Sequence, residues 1–299
     1  MLHTEGVNVS QDKLGIIVSL VSGSSFGTLA IFAKLSYSGG ANIPTALFLR
    51  FVCAALIFWM YFLLKGEKIK YERTVIVKLL MMGALGYGSM SAFFLLSASR
   101  IPASLTGMLL YLYPAMVTVV SVMLKEERFN LHKGLALTAS FVGMLFVLGV
   151  SFENSDALGI IYGLCAPCVY TAYIVMGSRV VKNLEPLKAT MYIMTGAAIA
   201  YTVFGLFSGT LSFVFSSFTW FMIAGIILIS TIMAVVSFWW GVKLVGPSRA
   251  SIISTVEPLV TVVLAWLVFG EVLTGIQLFG GGLIMLGVII QQQTETVRQ

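Results

Sequence analysis

The chain has 299 residues, of which 59% are hydrophobic and only 10% charged, and its mean hydropathy is +0.99. A water-soluble domain carries about 25% charged residues, so this composition excludes a soluble fold and fits one whose surface faces lipid. The net charge of +6 does not mark a nucleic-acid face, because the cations stand between apolar runs instead of along one stripe.

Residues 1–13 are polar and of mixed charge. They lack the basic start and cleavage motif of a secretory signal, so the first apolar run is expected to stay in the mature protein. A membrane helix needs about 20 mainly apolar residues to cross about 30 Å of hydrocarbon. Ten such runs follow, at 14–34, 44–64, 75–97, 102–123, 132–150, 157–177, 187–208, 218–241, 247–269 and 273–291. They are continuous and do not alternate, which favours helices over barrel strands. The connections are short, so successive spans should run antiparallel. The expected class is an all-α integral membrane protein with ten transmembrane helices.

Lys and Arg orient it. With the N-terminus inside, Lys13, the cluster from Lys65 to Lys78, Lys125, Arg128, Lys133, Arg179, Lys182, Lys188, Lys243, Arg249 and Arg298 all fall on one face. The other face receives Lys34 and Arg100, and Arg50 lies within a span. The positive-inside rule then puts both termini in the cytoplasm. The basic loop from Lys65 to Lys78 reads as a topology signal that meets anionic lipid. Cys53, Cys165 and Cys168 sit in apolar runs, so a disulfide framework is not expected, and the CxxC of the sixth span reads as small packing residues. His3 and His132 lack ligand partners at metal spacing, and no phosphate loop or Ser/His/Asp set is visible. No metal and no cofactor is expected.

The chain repeats itself. A shift of 144 residues lays Asp12 on Asp156, Leu20 on Leu164, Pro114 on Pro258, Glu127 on Glu271 and Gly143 on Gly287. The units are 14–150 and 157–292, flanked by cytoplasmic tails 1–13 and 293–299. Because each unit holds five spans, an odd number, the second crosses the membrane in the opposite sense to the first. Inverted five-helix repeats are an architecture of secondary transporters, with the site at the repeat interface near the midplane.

Local patterns carry a resemblance. They are Leu49-Arg50-Phe51 with Ala54-Ala55, Tyr113-Pro114 followed by Glu127, Val256-Glu257-Pro258-Leu259 followed by Gly270-Glu271-Val272-Leu273-Thr274, and Gly280-Gly281-Gly282 with Gly287. In this order, over nearly the whole chain, they resemble the EamA branch of the drug/metabolite transporter superfamily. The resemblance implies export of small metabolites, often amino acids or related compounds, across a bacterial inner membrane.

Glu257 is the main candidate residue. It lies ten residues into its span, about 15 Å deep. A carboxyl group there faces a cavity, finds a partner or carries a proton. Glu257 either binds a proton or a substrate ammonium, or locks helix packing. Pro258 follows it, and Pro114 is its repeat mate. A mid-helix proline frees the carbonyl four residues back, here those of Ser254 and Leu110. Each proline, like Pro167 in the sixth span, either shapes a site or only kinks a helix. Tyr111 and Tyr113 sit deep beside Pro114, where a buried hydroxyl needs a partner; they line the cavity or fill the core. Arg50 lies about 9 Å inside the outer end of span two. It either snorkels to the outer headgroups as an anchor or is held in an ion pair, or it serves as a gate or carboxylate site. Tyr87, Ser89 and Ser91 form a polar patch in span three, and Tyr170 and Tyr173 form a further aromatic pair. Trp239 and Trp240 near the inner end of span eight read as interfacial anchors. Gly23 and Gly27 read as a close-packing pair. The expected partners are the bilayer and a small-molecule substrate, with proton coupling as a possible drive. A channel-like permease and an intramembrane enzyme acting on lipid-linked substrates are the alternatives. The short outer loops, nearly free of charge and without a nucleophile or metal set, weigh against the enzyme.

Overall fold

The computed structural model describes residues 4–67, 71–125, 131–151, 156–181, 184–245, 250, 253, 254 and 256–296. Glu127 and the cations Lys68, Lys70, Arg128, Lys182, Arg249 and Arg298 lie outside the described residues, as do His3 and Pro247.

The helices follow one another with short links. They are α1 (Thr4–Gly27), α2 (Leu29–Ser38), α3 (Ile43–Leu64), α4 (Arg73–Met81), α5 (Gly88–Ala98), α6 (Ala103–Leu110), α7 (Tyr113–Met123) and α8 (Leu131–Ser151) in the first half. The second half holds α9 (Ala157–Val181), α10 (Pro186–Ser208), α11 (Ser217–Ile227), α12 (Ala234–Val245), α13 (Val256–Phe269) and α14 (Gly275–Thr296). Two π-helical stretches join helices end to end. π1 (Met82–Tyr87) links α4 to α5, and π2 (Leu228–Met233) links α11 to α12. Among the described residues, seven helical stretches are long and apolar enough to cross a membrane: Gln11–Ser38, Ile43–Leu64, Arg73–Ala98, Ala103–Met123, Ala157–Val181, Pro186–Ser208 and Ser217–Val245. Gly134–Phe146, Val256–Phe269 and Gly275–Ile290 are shorter apolar helices. The protein is thus an all-helical, multi-pass membrane protein.

Local chemistry sets several ends. Asn42 caps α3 by accepting from the Thr45 N–H at 2.9 Å, with Pro44 in the first turn. Ser216 caps α11 in the same way through Thr219. Gly209 ends α10 in the left-handed region, φ 63°, which glycine adopts without a steric penalty.

The packing inverts that of a soluble protein. Large apolar side chains such as Leu63, Leu64, Phe207, Phe221 and Leu267 are exposed, while Ser19, Ser22, Thr45, Ser91, Ser104 and Thr231 are buried. In lipid, helices associate through small residues and hydroxyls. The principal pairings all join one half to the other: α1 with α12, α5 with α9, α3 with α10, α6 with α13 and α8 with α14. Glycines also permit close approaches of α10 to α4 and π1, and of α1 to the start of α13. A Cβ on Gly83 would overlap the Ile193 carbonyl, and one on Gly196 would overlap the Leu80 backbone. Gly23 and Gly27 press α1 against the backbone of Ser254 and Glu257, as their spacing predicts.

One end is tied across the halves. Glu271, in the link after α13, accepts from Lys34 Nζ at 2.8 Å, from the Ala103 and Ser104 N–H groups at 3.0 and 3.2 Å, and from the Ser104 hydroxyl at 2.9 Å. It therefore caps the N-terminus of α6 while pairing with α2. Arg100 and Asp156 make a second tie at 2.7 Å. Burial raises the Glu271 pKa, but Lys34 and the two N–H donors outweigh it and hold the carboxyl below its ordinary value.

Two outcomes follow from this packing. Gly83→Val and Gly196→Val should each cost roughly 1–3 kcal/mol or more through backbone overlap, whereas Gly282→Ala, with open space around it, should be neutral or mildly stabilising; thermal unfolding in detergent reads both. Glu271→Gln should lower stability at neutral pH by about 1–3 kcal/mol. Because the folded-state pKa is depressed, Glu271 stabilises above the ordinary carboxylate pKa of about 4.3 and loses that effect as pH falls through its folded value. The gap between wild type and variant should therefore close on acidification.

Candidate functional site

A cavity of about 240 Å³ opens between the two halves. It is walled by residues of α1, α2, α3, π1, α5, α6, α7, α9, α10, α12 and α14, and by Ser254 and Glu257 at the start of α13. Helix breaks shape it. The first span breaks at Thr28, whose hydroxyl lies 2.6 Å from that of Ser230 in π2. The fourth breaks at Tyr111 and Leu112, just ahead of Pro114 in the first turn of α7. The side chain of Pro114 lies outside the described residues.

At one end of the cavity, the Tyr111 hydroxyl donates to Glu257 Oε2 at 3.0 Å and lies 3.4 Å from the Ser254 carbonyl oxygen. Pro258 has no N–H, so the Ser254 carbonyl is left without its usual helical donor. The break at Tyr111 brings a hydroxyl to it. Thr261 ties this corner to the break in the first span, with its hydroxyl 3.0 Å from the Gly27 carbonyl oxygen and 3.1 Å from that of Glu257. Glu257, Tyr111, Tyr113 and Ser254 thus share one wall. Pro167 is buried in α9, one turn before Tyr170, and does not line the cavity.

At the other end lies Arg50, 1% exposed. Its Nε donates to Thr231 Oγ1 at 2.9 Å and its Nη2 to the Tyr87 hydroxyl at 3.1 Å, while its Nη1 is 3.5 Å from Ser91 Oγ. The guanidinium also faces the rings of Phe51 and Tyr87, 5.2 and 5.7 Å from their centroids, which attract a cation. The snorkelling orientation is therefore not adopted: inward hydroxyls satisfy the guanidinium better than a reach to the headgroups. Tyr87 closes π1 and Thr231 sits within π2. They are 144 residues apart, the same shift that aligns the two halves.

Between these ends runs a line of tyrosine rings. Tyr111 to Tyr113 is 6.2 Å, Tyr113 to Tyr170 is 4.7 Å, Tyr170 to Tyr173 is 5.8 Å and nearly parallel, and Tyr173 to Tyr87 is 6.0 Å between centroids. Trp239 joins the cavity wall and so departs from the anchor reading, whereas Trp240 is exposed near the end of α12, where an anchor would be. Thr231, Thr190 and Met194 were not legible as site residues. For Thr231 the signal was present, since it is the repeat mate of Tyr87.

An EamA-like transporter family model matches residues 13–149 and again 157–291. An uncharacterized transporter of Archaeoglobus fulgidus is 30% identical over 187 residues, covering 62% of this chain and 66% of its own length. The uncharacterized transporter YcbK of Bacillus subtilis is 24% identical over 298 residues, covering 94% of each. A solved structure superposes with a TM-score of 0.65 at 15% identity, over 94% of this chain and 97% of its own, a likeness that shows the shared fold. Matched by the family model in both halves, and related end to end to membrane transporters, the chain belongs to the EamA-like transporter family.

Proposed function

We propose that the protein is a secondary active transporter that exports small metabolites, amino acids or related compounds, across the cytoplasmic membrane by alternating access. The observation that carries this reading is a carboxyl group, Glu257, set in a cavity that both halves wall and bound by the Tyr111 hydroxyl. A carboxyl in such a place is costly unless it binds a proton or a cation. In this reading Glu257 is the coupling site, and Tyr111, Tyr113 and the Ser254 carbonyl hold its side of the substrate. The prolines Pro114, Pro167 and Pro258 keep the walls broken or bent.

The architecture is read as ten passes in two inverted five-helix repeats, about 14–150 and 157–292, with both termini in the cytoplasm. Three observations support it: the second match of the family model, which starts 144 residues after the first, the cross-half helix pairing, and a π stretch in each half, 146 residues apart and so within two residues of that shift. Under the repeat, the α1–α12 pair exchanges with the α9–α5 pair, as an inverted repeat requires. The cavity extends to Thr190, four residues into α10, and to Trp239, six residues before the end of α12. Those are cytoplasmic helix ends in this topology, while the ties of Glu271 and Arg100 stand at the outer end. A carrier caught closed to the outside has this form, and an open channel does not.

The test is Glu257→Gln, which keeps shape and hydrogen bonding and removes ionisation. Profiling the medium of overexpressing cells first supplies the compound that accumulates. In proteoliposomes loaded with it, wild type should drive efflux under a pH gradient. The variant should unfold within about 1 kcal/mol of wild type yet lose gradient-driven efflux while retaining exchange. Wild-type-like driven efflux by the variant would remove Glu257 from the mechanism.

A further inference from the structure

The guanidinium of Arg50 is a permanent cation set in the cavity wall and 1% exposed. Its protein acceptors among the described residues are the neutral hydroxyls of Thr231, Tyr87 and Ser91. No carboxylate among the described residues forms an ion pair with it. A buried charge without a counter-charge is expensive, and hydroxyls and ring faces offset only part of the cost. A guanidinium has five N–H donors in a planar fork. Three are used among the described residues, one of them at the 3.5 Å limit, which leaves donors for a ligand in the cavity.

The geometry points to Arg50 as an anion-binding subsite that takes the carboxylate of a small compound with an apolar or aromatic body. This rests on the cavity being the transport site and adds the chemical class of its ligand. A carboxylate matches the fork in two-pronged fashion, the strongest neutralising geometry a guanidinium has. The hydroxyls fit the same purpose. Thr231 Oγ1 donates to the Ile226 carbonyl at 2.9 Å, so its oxygen accepts from Nε and aligns the guanidinium without cancelling its charge. The body of the ligand has a surface to lie on, because the tyrosine rings run from Tyr87 beside Arg50 to Tyr111 beside Glu257. Where the compound also carries an amine, that end meets Glu257. Its anion lies where both halves meet, since Tyr87 and Thr231 are repeat mates.

The experiment uses the wild-type protein in nanodiscs and needs no transport. Phenylglyoxal modifies accessible arginines, and mass spectrometry follows the peptide that holds Arg50, with Arg50→Lys identifying the signal. Benzoate, phenylacetate and phenylalanine are each compared with the uncharged amide of the same acid group. Arg50 should be modified, and at least one acid should slow modification by about tenfold or more while its amide does not, the effect of one charge-assisted pair. Protection should persist in Glu257→Gln. Overturning results are an Arg50 that phenylglyoxal does not reach, acids that fail to protect, or amides that protect equally. Because the readout is occupancy of one side chain, it fails or succeeds separately from driven efflux.

Discussion

The structure is organised around a guanidinium that has nowhere to go but inward. A charge inside a membrane protein is tolerated only with polar partners, and Arg50 finds them in the stretches Arg73–Ala98 and Ser217–Val245, one from each half. Both partners stand in π turns. Such a turn inserts one extra residue and so rotates the side chains beyond it by about 100°. That rotation is what aims Tyr87 and Thr231 at the same point. The buried hydroxyls of Tyr87, Ser91 and Thr231 hold this charge between the two packed halves, and Gly83 lets π1 approach α10 closely beside it.

Glu257 is held by a different device. Its neighbour Pro258 frees the Ser254 carbonyl, and the break at Tyr111 supplies the hydroxyl that serves both. Broken helices are permitted at this depth because they line a cavity rather than lipid. Gly23 and Gly27 seat the broken first span directly on the Ser254 and Glu257 backbone, and Thr261 fastens the two. The Glu257 backbone thus touches the broken first span, and Lys34 in the second part of that span pairs with Glu271.

Much of this was legible in the sequence. Apolar run lengths placed the seven long apolar stretches to within about four residues, and the shift of 144 is the offset between the starts of the two family-model matches. The position of Pro258 pointed at the Ser254 carbonyl, because a proline's missing N–H is a local fact. Direction was harder. The depth of Arg50 could be counted, but whether its long side chain turned outward or inward depended on acceptors far away in sequence, and a π turn leaves no mark in an apolar run. Trp239 and Trp240 are adjacent in sequence yet point to cavity and surface, a distinction that helix phase decides only once the cavity is known. Thr231, one hydroxyl in Ile229-Ser230-Thr231-Ile232, carries no local mark of a site, and only its register with Tyr87 ties it to one.

The central claim is that one cavity is reached from both sides of the membrane, but not at once. Its direct measurement is the labelling of a single cysteine at Met194, which lines the cavity, in a background where Cys53, Cys165 and Cys168 are replaced. A membrane-impermeant thiol reagent is applied from each side in turn. Labelling is expected from both sides, and condensing the Lys34 amine with the Glu271 carboxylate, 2.8 Å apart, to an amide with a carbodiimide is expected to abolish labelling from outside while leaving it from inside. Labelling from one side only in the unjoined protein, or outside labelling that survives the cross-link, would contradict alternating access.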